Sequence, residues 1–157
     1  MFLLDRILGR KKDDIALLVD GPNVIRKSLK IDLVKVKREV QKHGNLRVSR
    51  IYLDQYASEK LIEAMVNQGF DVQITAGDVD VTMAVDATEL AMSKGIDTVA
   101  LMTRDSDYIP VLNKAKKHGK RTMIIATDVA FSAALKNTSD IVLIFKGKDE
   151  ADHIINQ

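Results

Sequence analysis

Five aspartates and their close neighbours are the residues whose types and spacing could do chemistry. Asp20 ends the apolar run Ile15–Val19 and is followed by Gly21, Pro22 and Asn23. Asp78 and Asp80 come after a second run, Val72–Thr75. Asp105 and Asp107 come after a third, Thr98–Met102, within Thr103-Arg104-Asp105-Ser106-Asp107. Asp86 sits inside the intervening stretch VTMAVDATELAM. Clustered carboxylates repel, and a fold tolerates them when a hard cation occupies the gap. Magnesium and manganese take oxygen ligands, and the chemistry they suit is metal-assisted phosphodiester hydrolysis. Asp20, Asp80, Asp86, Asp105 and Asp107 are therefore candidate metal ligands. Asn23 is placed to hold a phosphate oxygen or a ligating carboxylate, and Thr103 or Ser106 to orient the carboxylates. Singly, each acid has a plainer role: Asp20 as a turn residue, Asp80 and Asp107 as helix caps. Their joint position favours the metal.

That joint position follows from the elements around them. Short apolar runs alternate with helical patterns along the chain. Strands are expected at Ile15–Val19, Leu46–Leu53, Val72–Thr75, Thr98–Met102, Arg121–Ile125 and Ile141–Phe145. Helices are expected at Leu33–Lys42, Glu59–Gln68, Val81–Ser93 and Tyr108–His118, with a short one at Phe131–Leu135; glycines stop several of them. Such alternation implies right-handed βαβ units, a mostly parallel sheet of five to six strands and helices on both faces, a three-layer α/β/α fold. Ligands of an open parallel sheet bind beyond the carboxyl ends of its strands. With strand order 3-2-1-4-5, the ends of strands one and four are neighbours, so Asp20 faces Asp105 and Asp107.

The helix over 81–93 is apolar nearly all round, which predicts burial and makes Asp86 costly by several kcal/mol if unpaired. A basic partner, a raised pKa or a metal would resolve it. Residues 61–103 offer only Lys94 as a cation, which adds weight to the metal.

The 157-residue chain has an ordinary globular composition, 46% hydrophobic and 29% charged, and is long enough for one compact domain. It has no Cys, which excludes disulfides, thiol nucleophiles and Cys-ligated zinc. His43, His118 and His153 show no zinc spacing. The net charge is only +2, yet it is unevenly spread. Residues 1–50 hold 13 Lys and Arg against 6 Asp and Glu, residues 51–110 hold 3 against 11, and residues 111–157 hold 8 against 5. An acidic centre lies between basic flanks.

Competing acidic sites fail on particular residues. A haloacid-dehalogenase-type phosphatase needs an acid where Pro22 stands. A receiver domain needs an acidic pair after strand one and a Lys after strand five, where Ala126 stands. A Toprim-like core has its DxD in Asp105-Ser106-Asp107 but lacks the Glu after strand one. No phosphate-cradling GxxxxGK[ST] or GxGxxG occurs.

Three segments resemble the NYN domain family of PIN-like ribonucleases, which includes the LabA-like proteins: LLVDGPNV (17–24), GDVDVTMAVDATELA (77–91) and ALMTRDSDYIPVL (100–112). GKRTMII (119–125) and the stretch before SDIVLIF (139–145) fit as well. The resemblance implies a PIN-like fold over 15–146, divalent-metal dependence and RNA cleavage. It implies that Asp20 is the first metal-binding acid with Asn23 its companion. Asp80 and Asp86 match the acids of the helix before strand four, and Asp105 and Asp107 the pair after it; Asp20, Asp86, Asp105 and Asp107 form the catalytic set. Arg104 departs from the Gly that many relatives have before the acidic pair and is a candidate either to contact the scissile phosphate or to neutralise part of the empty pocket.

A ribonuclease needs a path for its substrate. Arg26, Lys27 and Lys30 follow the Asp20 loop and are the candidate RNA-binding residues. Lys114, Lys116, Lys117, Lys120 and Arg121 read instead as a solvated helix face near a helix C-terminus. Three Tyr and four Phe are too few for an aromatic stacking platform; Tyr56 and Tyr108 lie nearest the groove. The alternatives are a non-catalytic RNA-binding or adaptor module on the same fold and a metal-dependent phosphatase. Residues 1–14 read as a basic, amphipathic extension and 147–157 as a charged tail. No stretch approaches the ~20 apolar residues of a membrane span. With no secretory signal and no Cys, a cytoplasmic address is expected.

Overall fold

The computed structural model describes residue 9 and residues 11–25, 31–127, 132–146 and 150–155, with residues 146 and 150–155 by backbone alone. Seven strands form one sheet: β1 (Asp14–Asp20), β2 (Asn45–Asp54), β3 (Asp71–Thr75), β4 (Thr98–Met102), β5 (Arg121–Ala126), β6 (Ile141–Lys146) and β7 (Glu150–Ile155). Their spatial order is β3-β2-β1-β4-β5-β6-β7, with every pair parallel except β6 and β7. The described helices are α1 (Gly21–Val24), α2 (Leu33–Gln41), α3 (Glu59–Asn67), α4 (Val79–Met92), α5 (Ile109–Lys117) and α6 (Ala133–Thr138), with a 3₁₀ turn at Ser106–Tyr108. The expected three-layer α/β/α class is what forms. The tail expected to be an appendage instead contributes β7, an antiparallel edge strand. The short helix falls at 133–138 rather than 131–135.

Central strands buried on both faces explain the unbroken apolar runs. All seven residues of β1 and all five of β4 are buried. Alternate side chains feed two cores. Ile15, Leu17 and Val19 pack with Val36 and Val40 of α2 and Met65 of α3. Ala16, Leu18 and Leu101 pack on the other face with Met83 and Ala87 of α4, Leu112 of α5 and Leu135 of α6. Ser58 caps α3 by accepting from Leu61 N at 3.1 Å, and Asp32 caps α2.

At the amino edge of β1, Arg47 donates to Asp14 at 2.9 Å, Asn45 at 3.3 Å, and Lys11 lies 3.2 Å away. The Arg47 hydrogen bond is the main reason the Asp14 carboxyl titrates below its usual 3.8. The stability this confers is complete above that value and is lost as pH falls through the lowered one. Asp14→Asn should therefore lower the urea midpoint at pH 7 and change it little near pH 2.

Candidate active site

The carboxyl ends of β1 to β4 frame a cleft of about 410 Å³ lined by Asp20, Pro22, Asn23, Asp54, Gly77, Asp78, Val79, Asp80 and Asp105. Asp20 is the last residue of β1 and the N-cap of α1, and only 5% of it is exposed. Its carboxylate accepts from Thr103 Oγ1 at 3.2 Å and from Asn23 N, Asn23 Nδ2 and Tyr108 OH, each at 3.4 Å. Burial nevertheless dominates and pushes the Asp20 carboxyl above its ordinary pKa. The Tyr108 hydroxyl is pushed up too, chiefly by burial and then by the charges of Asp20 and Asp80.

Thr103, fully buried, ties the strand ends together. Its Oγ1 donates to Asp20, accepts from Asn23 Nδ2 at 3.3 Å and accepts from Asp105 N at 3.1 Å. Thr103 thus bonds the Asp20 carboxylate and the Asp105 backbone. Ser106 is exposed and its hydroxyl bonds none of them among the described residues. Asp105 Oδ1 accepts from Asp107 N at 2.9 Å, which starts the 3₁₀ turn. Asp105, and not Asp107, is therefore the cap here.

Asp80, Asp105 and Asp107 each present a carboxylate oxygen within 4.8 Å of the others. Asp80 reaches this group because α4 begins two residues earlier than the apolar pattern suggested, with Asp78 at the N-cap; Asp80 lies in the first turn, where its Oδ1 accepts from Val81 N at 3.0 Å. Arg104, half-buried, stands between Thr103 and Asp105 in sequence.

Asp86 is placed otherwise. It lies about 9 Å further along α4 from Asp80, six residues at 1.5 Å each. Tyr52 OH donates to it at 2.6 Å and Arg50 Nη1 at 3.3 Å, while Arg50 Nε bonds Asp71 at 3.1 Å. So the basic partner exists, on β2. The expected burial of the whole helix is also corrected: Val79, Met83, Ala87 and Ala91 face the core at four-residue spacing, whereas Val81, Val85 and Met92 are exposed. Asp86 pins α4 to β2 and does not join the three-carboxylate group. Tyr52→Phe should lower stability by about 1 kcal/mol, one buried hydrogen bond, as read from the urea midpoint.

Asp54 and Asp78 line the cleft but were not among the candidates. Asp54 obeys the same rule as the others, being the residue directly after the strand expected at 46–53. Tyr108 is 1% exposed and presents no ring to a groove. Lys120 Nζ donates to Ser93 O and Ile96 O, Lys116 Nζ to Thr138 O, and Arg121 pairs with Asp13. These cations serve loops at the amino edge, opposite the cleft. Arg26, Lys27 and Lys30 lie outside the described residues, as does most of the 1–14 extension.

The NYN domain model matches residues 14–146, and the chain belongs to the NYN domain family, a PIN-like nuclease family. An uncharacterized protein of Methanocaldococcus jannaschii, MJ0482, is 53% identical over 129 residues. That match takes in 82% of this chain and 54% of the relative, so the chain spans about half the length of the curated relative it matches. A crystal structure of a protein of unknown function, VPA0982 from Vibrio parahaemolyticus, shares the fold with a TM-score of 0.77 at 20% identity. The likeness covers 87% of this chain and 95% of that one. Among the described residues no helix is long and apolar enough to cross a membrane.

Proposed function

We propose that this protein is a metal-dependent ribonuclease. The observation that supports it best is the group Asp80, Asp105 and Asp107, three carboxylates from two elements whose oxygens lie within 4.8 Å of one another. An all-oxygen donor set of this kind fits magnesium or manganese and does not fit a soft metal. A bound divalent cation would lower the pKa of water and offset charge on a scissile phosphate. Asp80, Asp105 and Asp107 would hold it, with Asp20 facing the same cleft. Thr103 and Asn23 hold Asp20 and Asp105 in place. Asn23 Nδ2, already shared between Asp20 and Thr103, is a neutral donor on the wall of the same cleft.

RNA is the proposed partner. The test is cleavage of RNA by the purified protein with manganese, with magnesium and with EDTA. Cleavage with either metal and none in EDTA supports the proposal. RNA bound but intact in all three would favour a non-catalytic binding module. Release of phosphate from monoesters with RNA left whole would favour a phosphatase.

A further inference from the structure

We propose that Tyr56 is the base-stacking residue of this cleft and that it selects unpaired nucleotides; this rests on the ribonuclease proposal for the site. Tyr56 lies two residues beyond Asp54, which forms part of the cleft wall. Asp54 Oδ1 accepts from Tyr56 N at 2.9 Å, and Asp54 O accepts from Ala57 N at 3.2 Å. The Ser58 cap follows at once. The backbone under the ring is therefore held at both ends, while the ring is 84% exposed. Tyr52 and Tyr108 are at most 1% exposed, and their hydroxyls are committed to Asp86 and Asp20. Among the described residues Phe70 and Phe145 are buried as well. Tyr56 is thus the one aromatic ring among the described residues presented to solvent, and it stands beside the acidic cleft.

Electrostatics explains why such a ring is useful there. Asp54, Asp78, Asp80, Asp105 and Asp107 repel a phosphate backbone, so a strand needs a neutral contact to stay beside them. Stacking of a base on an aromatic face supplies one, whatever the base. In a duplex the base faces are already covered, so only an unpaired base can use the ring. A rigid turn with a free ring also loses little conformational freedom on binding.

The chain has no Trp, so Tyr56→Trp gives a single reporter at the site. Binding is read in an Asp105→Asn background, so that the strand survives, with a short oligoadenylate alone or paired to oligouridine. The single strand should quench the fluorescence and the duplex should not. In the same background, Tyr56→Ala should weaken single-strand binding by roughly ten- to hundredfold, and Tyr56→Phe should keep it. Equal affinity for Tyr56→Ala, or equal quenching by duplex, overturns the proposal while leaving the ribonuclease proposal intact if the parent still cleaves RNA. A parent that neither binds nor cleaves RNA overturns both.

Discussion

Asp105→Asn is expected to remove metal-dependent RNA cleavage, by about 10²–10³-fold or more, while the fold stays intact. Asn is the right substitution because the Oδ1 that accepts from Asp107 N is kept, so the 3₁₀ turn keeps its start. The bond from Asp105 N to Thr103 Oγ1 uses only the backbone of residue 105 and is also kept. What changes is one unit of negative charge in a group whose oxygens lie within 4.8 Å. At that separation one fully solvated repulsion is worth about 1 kcal/mol. The metal-free variant should therefore melt a few degrees higher than the parent, at roughly 2–4 °C per kcal/mol. The rise in Tm that manganese gives the parent should shrink or vanish. Cleavage assays and melts with and without metal read both effects. A variant that keeps full activity and the full metal-dependent rise would show that Asp105 holds no cation.

Gly21→Ala is expected to be the most damaging conservative change near the site. A Cβ on Gly21 would stand 2.3 Å from the Tyr52 carbonyl oxygen and 2.6 Å from Leu53 Cδ2. The carbonyl cannot simply turn away, because Tyr52 is paired in register with Asp20 across β1 and β2. Overpacking of this kind costs about 1–3 kcal/mol, a fall in Tm of roughly 2–12 °C for a chain of this size. The displacement falls on Asp20 and Asn23, which flank the substitution, so activity should drop further than stability does. Gly77→Ala is the matched control. It lines the same cleft, has nothing within 4 Å of a new Cβ and needs no positive φ, so its melt should be unchanged or slightly raised. Similar losses in both variants would show that the close approach at Gly21 is not what matters.

The sheet was readable in the sequence because its central strands are buried on both sides, and Thr98–Met102 was bounded to the residue. The carboxyl edge was readable for the same reason: each of the first four apolar runs is followed within three residues by an acid, Asp20, Asp54, Asp78 or Asp105. Asp86 was not. Its partner Arg50 is 36 residues away on another strand, and no count of neighbouring charges can see a pairing made by the sheet. The exposed Val81 and Val85 misled in the same way, since an apolar side chain says nothing of whether the tertiary structure covers it. The last strand was missed because it opens on Glu150-Ala151-Asp152-His153 with no apolar run, and an edge strand has only one neighbour to favour it. Asp54 was missed although its signal was present in plain form.

The β1–β4 register has a consequence for how the chain comes into being. Ile15 pairs with Thr98 and Val19 with Met102, a sequence separation of 83 residues. Asp20 and Asp105 come together only through that pairing, and it is among the slowest kinds of contact to form. While the chain is being synthesised, its first eighty residues can pair β1 with β2 and β2 with β3, yet they hold only part of the acidic cleft. The repulsion between Asp80, Asp105 and Asp107 is likewise absent until β4 docks, so early folding proceeds without it. The three-carboxylate group is thus assembled only when the fold is nearly closed.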